Sequence, residues 1–304
     1  MARFSCGNVG QQSVEEIWNG DAYQKFRRCM ASGEREKICR PECPRLRDGI
    51  DDSVADGENA AFMENYERNL DEIEQRATVL ESLPRIWKTC GSTLCNLDCI
   101  MCYQDRDDRR SLPVSFFESL VPFFSTMQEV QIIGGEPFAI RRLRQFMCDF
   151  PRERYPDARF SIVSNGTLHD DKTLQIVRDL RVSWMSISMD AAYEDTYARI
   201  RRGGAFEKTL AGVRKWIEVG RDGGFPVHMA FTVMRDNVDE MPMFAELAHQ
   251  LGADVLFGKV FGTKADQHRI DPQALRRATT KTSDFIEALK PQMPLARLTL
   301  SSIT

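Results

Sequence analysis

EVQIIGGEP, at residues 129–137, is a short apolar run that ends in two adjacent glycines. Three β-branched residues lie within it, and the run is shorter than a typical helix. It therefore predicts a buried strand over residues 129–133. Gly134 and Gly135 are expected to turn the chain at the end of that strand, because glycine adopts backbone conformations that other residues avoid.

Alternation of strand and helix continues on both sides of this run. We expect strands at residues 85–89, 129–133, 159–163, 182–189, 227–233 and 254–260. We expect helices between them at residues 114–127, 141–150, 172–180, 206–219 and 241–251. Six such steps predict a parallel sheet with right-handed crossovers, but they are too few for a closed eight-stranded barrel. The predicted fold class is α/β, a partial (β/α)6 TIM-like barrel with a small cysteine-rich N-terminal module.

The bulk composition excludes several classes of protein. Hydrophobic residues make up 42% of the 304 residues and charged residues 28%, which is typical of soluble globular proteins. A net charge of -4 offers no basic surface for nucleic acid. The sequence has neither an apolar run of about 18 residues nor the apolar core of a signal peptide. We expect a cytoplasmic protein with no nucleic-acid partner and no membrane partner.

Nine cysteines in such a chain point to metal ligation, because disulfides are disfavoured in a reducing compartment. Cys95, Cys99 and Cys102 have the spacing Cys-x3-Cys-x2-Cys and follow a predicted strand. A four-iron cluster normally takes four thiolates, so three would leave one iron open. A zinc site is the alternative, because short cysteine spacings are also common there.

CNLDCIMCY at residues 95–103, together with GGEP at residues 134–137, resembles the radical S-adenosylmethionine (SAM) superfamily. The resemblance covers about residues 84–265. Four smaller motifs follow in the order typical of the family: SNGT at 164–167, SMD at 188–190, IRRGG at 200–204, which we expect on a helix, and NVDE at 237–240. The combination and its order are far more specific than any single motif.

The resemblance implies a set of cofactors and a reaction. Cys95, Cys99 and Cys102 would hold a [4Fe-4S] cluster, and the amino and carboxylate groups of SAM would bind the open iron. An electron donor such as flavodoxin or ferredoxin would reduce the cluster. Reductive cleavage of SAM would then give a 5′-deoxyadenosyl radical, which abstracts hydrogen from a substrate carbon.

The resemblance also implies the residues that contact SAM. They are Met101, Gly134, Gly135, Glu136, Asn165, Ser188 and Arg201. Glycines would let backbone carbonyls approach the SAM ammonium group, and Glu136 would support it by charge. Simpler interpretations stay open: an ordinary turn for the glycines and for Asn165, loop packing for Met101, and Arg202 in place of Arg201.

The first residues form a second cysteine group that resembles the SPASM and Twitch auxiliary-cluster domains. Cys6, Cys39 and Cys43 match best, and Cys29 is a further candidate for an auxiliary iron–sulfur cluster. Zinc is the alternative metal for these thiolates. Cys90 is an alternative to Cys29 as the source of a fourth thiolate. In relatives the module usually follows the barrel. We therefore expect either a rearranged module or a chain that begins part-way through a longer protein.

The predicted domain boundaries follow from these patterns. They are a SPASM/Twitch-like segment at 1–50, a helical connector at 51–83, the radical SAM partial barrel at 84–265, and a C-terminal helix with a short strand at 266–304. Within these bounds we expect the connector helix near residues 70–83, the C-terminal helix at 272–289 and the short strand at 295–300. The expected substrate is a peptide or protein undergoing maturation. The alternatives are a small molecule such as a sugar, or a non-catalytic metal-binding scaffold. His228 lies on a predicted strand, as either a core or a substrate-pocket residue.

Overall fold

The computed structural model describes residues 4–39, 60–104, 110–260, 264 and 266–289. Its central feature is a parallel sheet of six strands. In chain order the strands are β1 (Ile86–Cys90), β2 (Asp98–Cys99), β3 (Glu129–Ile133), β4 (Arg159–Ser164), β5 (Val182–Ser188), β6 (Arg201–Arg202), β7 (Val227–Val233) and β8 (Asp254–Lys259). The sheet has the order β1-β3-β4-β5-β7-β8, and β2 pairs separately with β6.

The sheet is open rather than closed. β4, β5, β7 and β8 pair in parallel along the chain direction, as crossover helices require. Within the described residues β1 and β8 are the two edges, and no pairing joins them. The predicted partial barrel is confirmed.

Helices connect the strands and precede them. They are α1 (Val14–Trp18), α2 (Asp21–Ala31), α3 (Ala60–Glu74), α4 (Val114–Ser119), α5 (Arg141–Asp149), α6 (Asp171–Asp179), α7 (Glu194–Ile200), α8 (Phe206–Gly223), α9 (Met241–Leu251) and α10 (Pro272–Leu289). Gly224 and Gly252 end α8 and α9 in the left-handed conformation, with φ of 69° and 76°.

Two helix predictions were wrong in detail. The connector helix was expected near residues 70–83, but α3 begins ten residues earlier and ends at Glu74. Arg76 then adopts a positive φ of 55°, which a continuing helix excludes. The single helix expected over 114–127 is α4 followed by a 3₁₀ turn, Val121–Thr126, that contains Pro122. The short strand expected at 295–300 lies outside the described residues.

Contacts divide the chain into two units. The first comprises Met1–Lys88, Leu112–Gln131 and Phe150–Arg159. Within it the N-terminal segment is tied to the stretch that follows α3: the Trp18 indole donates to the Ser82 carbonyl at 2.8 Å, and Arg27 donates to the Thr78 carbonyl at 2.8 Å. The Arg27 guanidinium also lies 4.4 Å from the Trp18 ring centroid, a cation–π distance.

The second unit comprises Thr89–Ser111, Ile132–Asp149 and Phe160–Thr304. It holds the cysteine loop, the glycine turn and the carboxyl ends of β4, β5, β7 and β8. In open parallel sheets this edge is where ligands bind. No helix in the described part of the chain combines the length and the hydrophobicity that a membrane crossing requires.

Candidate active site at the carboxyl ends of the strands

The cysteine loop is fixed by a two-residue antiparallel pairing. Cys99 of β2 pairs with Arg201 of β6, and the Ile100 N–H donates to the Ile200 carbonyl at 3.0 Å. The sequence had placed residues 200–204 on a helix, but α7 ends at Ile200 and the chain turns into β6. The pairing holds the middle cysteine of the loop against the chain that leaves α7.

Cys95 receives two hydrogen bonds at its sulfur. The Leu97 N–H donates at 3.4 Å and the Asn165 side-chain amide at 3.7 Å. Donors of this kind stabilise a thiolate, and they tune the potential of iron–sulfur clusters. The first cysteine of the loop therefore lies in surroundings suited to a bound, negatively charged sulfur.

Asn165 belongs to a closed ring of side-chain hydrogen bonds. Its amide donates to Asn96 Oδ1 at 2.8 Å, Asn96 donates to Thr167 Oγ1 at 2.8 Å, and that hydroxyl donates back to Asn165 Oδ1 at 2.7 Å. The ring joins the cysteine loop to the turn after β4. Asn165 therefore positions the loop, whether or not it also contacts SAM.

Glu136 is fully buried, and its carboxylate is surrounded by donors. It accepts from the Asn165 N–H at 2.7 Å, the Ser164 hydroxyl at 2.9 Å and the Phe138 N–H at 3.3 Å. Burial raises the pKa of Glu136, and these three hydrogen bonds oppose the rise. The predicted contact with the SAM ammonium group stays a prediction. In the structure this carboxylate joins the turns after β3 and β4.

Gly134 and Gly135 occupy positions where a side chain would be strained. Both have positive φ, 79° and 54°. A Cβ on Gly134 would lie 2.1 Å from the Cys90 sulfur, and one on Gly135 would lie 2.3 Å from the Leu94 carbonyl oxygen. Gln104 also holds this turn, because its side-chain oxygen accepts from the Gly135 N–H at 3.0 Å. The turn presents backbone rather than side chains.

Arg201 forms a buried ion pair that the sequence did not reveal. Its Nε donates to Asp190 Oδ2 at 2.7 Å, and Asp190 Oδ1 accepts from the Thr232 N–H at 2.6 Å. Asp190 has a φ of 60°, and its carbonyl accepts from Asn237 at 2.9 Å. In the sequence, Asp190 was singled out only as the last residue of the SMD motif at the end of a strand. A SAM contact through Arg201 stays a prediction.

Met101 and Ser188 are the remaining residues predicted to contact SAM. Met101 is buried with Ile200 and Met234 in a small apolar cluster beside the cysteine loop. Ser188 is half-buried at the end of β5, where its backbone pairs with Ala230 of β7. Their contacts with SAM stay predictions.

The donor set of the loop fits an iron–sulfur cluster. Burial raises the pKa of the Cys99 thiol to about 11, and the nearby Arg201 charge opposes this rise. Burial also raises the pKa of the Cys95 thiol. Metal binding would therefore displace protons from these thiols. Among the described residues no three His, Cys, Asp or Glu side chains meet at one metal ion. A four-iron cluster has a different requirement, because each thiolate binds its own iron.

The N-terminal cysteines lie in the first unit. Cys29 is buried on α2, whereas Cys6 and Cys39 are partly exposed. Burial raises the pKa of Cys6, and the nearby Arg27 charge opposes this. Cys43 lies outside the described residues, and the ligand set of the auxiliary cluster stays a prediction.

Residues 90–248, more than half of the chain, match the sequence model of the Radical SAM superfamily. The chain belongs to the radical SAM superfamily. Its cofactors are SAM and a [4Fe-4S] cluster, in agreement with the prediction. Residues 1–44 match the SPASM model, described as an iron–sulfur cluster-binding domain, which confirms the N-terminal resemblance.

Relatives of this radical SAM protein include two named "Probable GTP 3',8-cyclase". The one from Methanococcus maripaludis strain C5 is 25% identical over 199 residues, which is 63% of this chain and 65% of that protein. The one from Saccharolobus solfataricus is 28% identical over 167 residues, 53% of this chain and 51% of that protein. The aligned part thus spans less than two thirds of either relative.

Two solved structures share the fold. Streptococcus suis SuiB bound to the precursor peptide SuiA has a TM-score of 0.59 at 16% identity, covering 91% of this chain and 62% of that one. Native anSMEcpe with bound AdoMet has a TM-score of 0.58 at 15% identity, covering 71% of this chain and 63% of that one. At such identities the likeness extends to the fold alone.

Proposed function

We propose that this protein is a radical SAM enzyme that cleaves SAM reductively and removes a hydrogen atom from a carbon of its substrate. The observation that carries the proposal is the three-cysteine loop, which is held in place by β6, Asn165 and the glycine turn. The loop lies inside the part of the chain that matches the radical SAM superfamily. When bound, the cluster and SAM supply the electron and the carbon–sulfur bond that breaks. A flavodoxin or ferredoxin is the proposed electron donor.

The chain's own residues would hold and orient these cofactors. Cys95, Cys99 and Cys102 are the proposed cluster ligands. The turn at Gly134 and Gly135 would offer backbone oxygens to the SAM amino group, because the positive φ of both residues disfavours side chains there. The remaining proposed SAM contacts are Met101, Glu136, Asn165, Ser188 and Arg201.

The N-terminal segment is proposed to hold an auxiliary iron–sulfur cluster through Cys6, Cys39 and Cys43, with Cys29 as the fourth candidate. The SPASM match supports iron over zinc. Anaerobic reconstitution should give about eight irons per chain, and about four after all three of Cys6, Cys39 and Cys43 are replaced by Ala. About four irons in both proteins would refute the auxiliary cluster.

The substrate class has two candidates. The likeness of fold to SuiB favours peptide or protein maturation, because that protein was solved with a bound precursor peptide. The curated relatives named for GTP 3',8-cyclase favour a small molecule, since they share more sequence with the barrel. We propose a small-molecule substrate, and peptide maturation is the second candidate.

Anaerobic incubation with SAM and dithionite tests the proposed function. The reconstituted protein should form 5′-deoxyadenosine, and Cys99→Ala should form none because the cluster loses a ligand. Cys148→Ala is the matched control, since Cys148 is an exposed cysteine on α5 outside the loop. Absence of 5′-deoxyadenosine from the unsubstituted protein would favour the non-catalytic scaffold.

A further inference from the structure

One face of the sheet in the second unit carries polar side chains that the cofactor site leaves unexplained. Aromatic contacts identify the opposite, helix-covered face: the Phe160 ring lies 6.3 Å from Phe146 of α5, and the Phe231 ring lies 4.8 Å from Phe244 of α9. Side chains alternate along a strand, so the neighbouring positions point away from these helices. We define the polar face by Ser161, Trp184, Ser186, His228 and Asp254.

The pairing of neighbouring strands places these residues in two adjoining levels, that is, two rows of paired residues that run across the strands. Ser161 pairs with Trp184, Ser186 pairs with His228, and His228 pairs with Asp254. Paired positions on neighbouring strands are about 5 Å apart. His228 Nδ1 lies 3.6 Å from Asp254 Oδ2, and the His228 ring centroid lies 6.3 Å from that of Trp184.

Two polar atoms on this face are buried without a hydrogen-bond partner among the described residues. They are Ser161 Oγ and His228 Nδ1. Buried polar atoms are almost always satisfied in folded proteins. A parallel sheet that is covered by protein on both faces is also normally apolar on both. These atoms are therefore placed to meet a polar group that does not belong to the strands.

The charge on this face indicates what kind of group it meets. From these levels to the strand ends, the positions on this face are Ser161 and Val163; Trp184, Ser186 and Ser188; His228, Ala230 and Thr232; and Asp254, Leu256 and Gly258. None of these described positions is Lys or Arg, which phosphate recognition normally uses. Burial also lowers the pKa of His228, against the opposing charge of Asp254. Asp254 is the acid among these positions, so the face disfavours an anionic ligand.

We infer that the polar face binds a hydroxyl-bearing substrate that carries no anionic group, with Ser161, His228 and Asp254 as its hydrogen-bonding partners and Trp184 against its apolar side. This inference rests on the radical SAM function proposed above. Ser188, a proposed SAM contact, lies two residues beyond Ser186 on the same face, or about 7 Å along the strand. A small ring can span that distance.

Deuterium transfer tests the inference even though the substrate is unidentified. The probe is a deproteinised low-mass extract from cells of the source organism grown on fully deuterated medium, separated by anion exchange into a neutral and an anionic fraction. The reconstituted enzyme is given SAM, dithionite and one fraction in ordinary water. Only deuterium abstracted from carbon then enters 5′-deoxyadenosine, where mass spectrometry detects it.

The neutral fraction should label 5′-deoxyadenosine with the unsubstituted enzyme. His228→Leu and the isosteric Asp254→Asn should each reduce labelling about tenfold, as expected for one lost hydrogen bond. Unlabelled 5′-deoxyadenosine from unproductive SAM cleavage should continue in both variants, which shows that they fold and bind cofactors. Ser183→Ala is the matched control, because that hydroxyl on β5 donates to the Phe160 carbonyl.

Several outcomes would overturn the inference. The inference fails if 5′-deoxyadenosine acquires deuterium from the anionic fraction alone, from a deuterated peptide fraction alone, or from no fraction. It also fails if His228→Leu and the unsubstituted enzyme give equal labelling. Complete absence of 5′-deoxyadenosine would instead refute the radical SAM function itself and remove the basis for the inference. The two failures are therefore distinguishable.

Discussion

Glu136→Gln distinguishes two roles for the buried acid of the glycine turn. If Glu136 positions the turn, the substitution should destabilise the fold. If it contacts only SAM, the substitution should weaken SAM binding and leave the fold unchanged. The structure supports the positioning role, because three donors surround the carboxylate.

The magnitude follows from these donors. Oε2 accepts from the Asn165 N–H, and Oε1 accepts from the Phe138 N–H and the Ser164 hydroxyl. A glutamine must place its NH₂ group at one of the two oxygens, where it faces a backbone N–H. A stranded buried donor costs about 1–3 kcal/mol. Relief from burying a charge offsets part of this cost, so we expect a loss of about 1–2 kcal/mol near neutral pH.

The loss should depend on pH in a defined direction. Burial raises the pKa of Glu136 in the folded protein above its unfolded value of about 4.3. The unsubstituted protein therefore gains stability as pH falls through the folded pKa towards 4.3, and it loses that stability as pH rises. Glutamine does not titrate, so the gap between the two proteins should widen as pH falls.

Urea denaturation of the cluster-free protein in reducing buffer, between about pH 5 and pH 8, measures this gap. Cluster-free protein is used because bound metal breaks the two-state approximation. Glu218→Gln, at an exposed position on α8, is the control and should show neither effect. Equal stability of Glu136→Gln and the unsubstituted protein, or a gap that does not change with pH, would refute the positioning role.

Two further predictions concern the loop and its ion pair. Asn165→Leu removes the amide that donates to the Cys95 sulfur and should lower the reduction potential of the cluster, as measured by redox titration followed by electron paramagnetic resonance. Thr167→Val is the control: it breaks the hydrogen-bond ring but keeps that donor, so the reduction potential should change less. Asp190→Asn leaves the buried Arg201 charge uncompensated and should cost about 3–5 kcal/mol in urea denaturation, whereas exposed Asp239→Asn should cost little. Unchanged potential in the first case, or unchanged stability in the second, would contradict these assignments.

Much of the fold could be predicted because its strands are short β-branched runs between glycines and polar turns. The bounds of Glu129–Ile133 and Val227–Val233 agree with the sequence prediction for that reason. The start of α3 could not be found in this way. Its buried face includes Asn65 and Glu72 beside Phe62, and polar residues give no apolar periodicity.

Motif order indicated which segments meet near the cysteine loop, but not their contacts. The SAM contacts of Asn165 and Arg201 stay predictions. Which group each side chain binds depends on pairings between distant segments, such as β2 with β6. A two-residue strand has no sequence signal of its own, so its prediction as part of a helix was wrong. The same applies to the pairing of His228 with Asp254 across strands.

Spectroscopy of a single isolated cluster tests most directly whether one iron is open to SAM. In the variant with Cys6, Cys39 and Cys43 replaced by Ala, only the loop of Cys95 remains to bind a cluster. Electron paramagnetic resonance of the reduced protein should show a [4Fe-4S] signal that changes when SAM is added. A signal that SAM leaves unaltered would mean that a fourth protein ligand closes the metal, and would contradict the proposed radical chemistry.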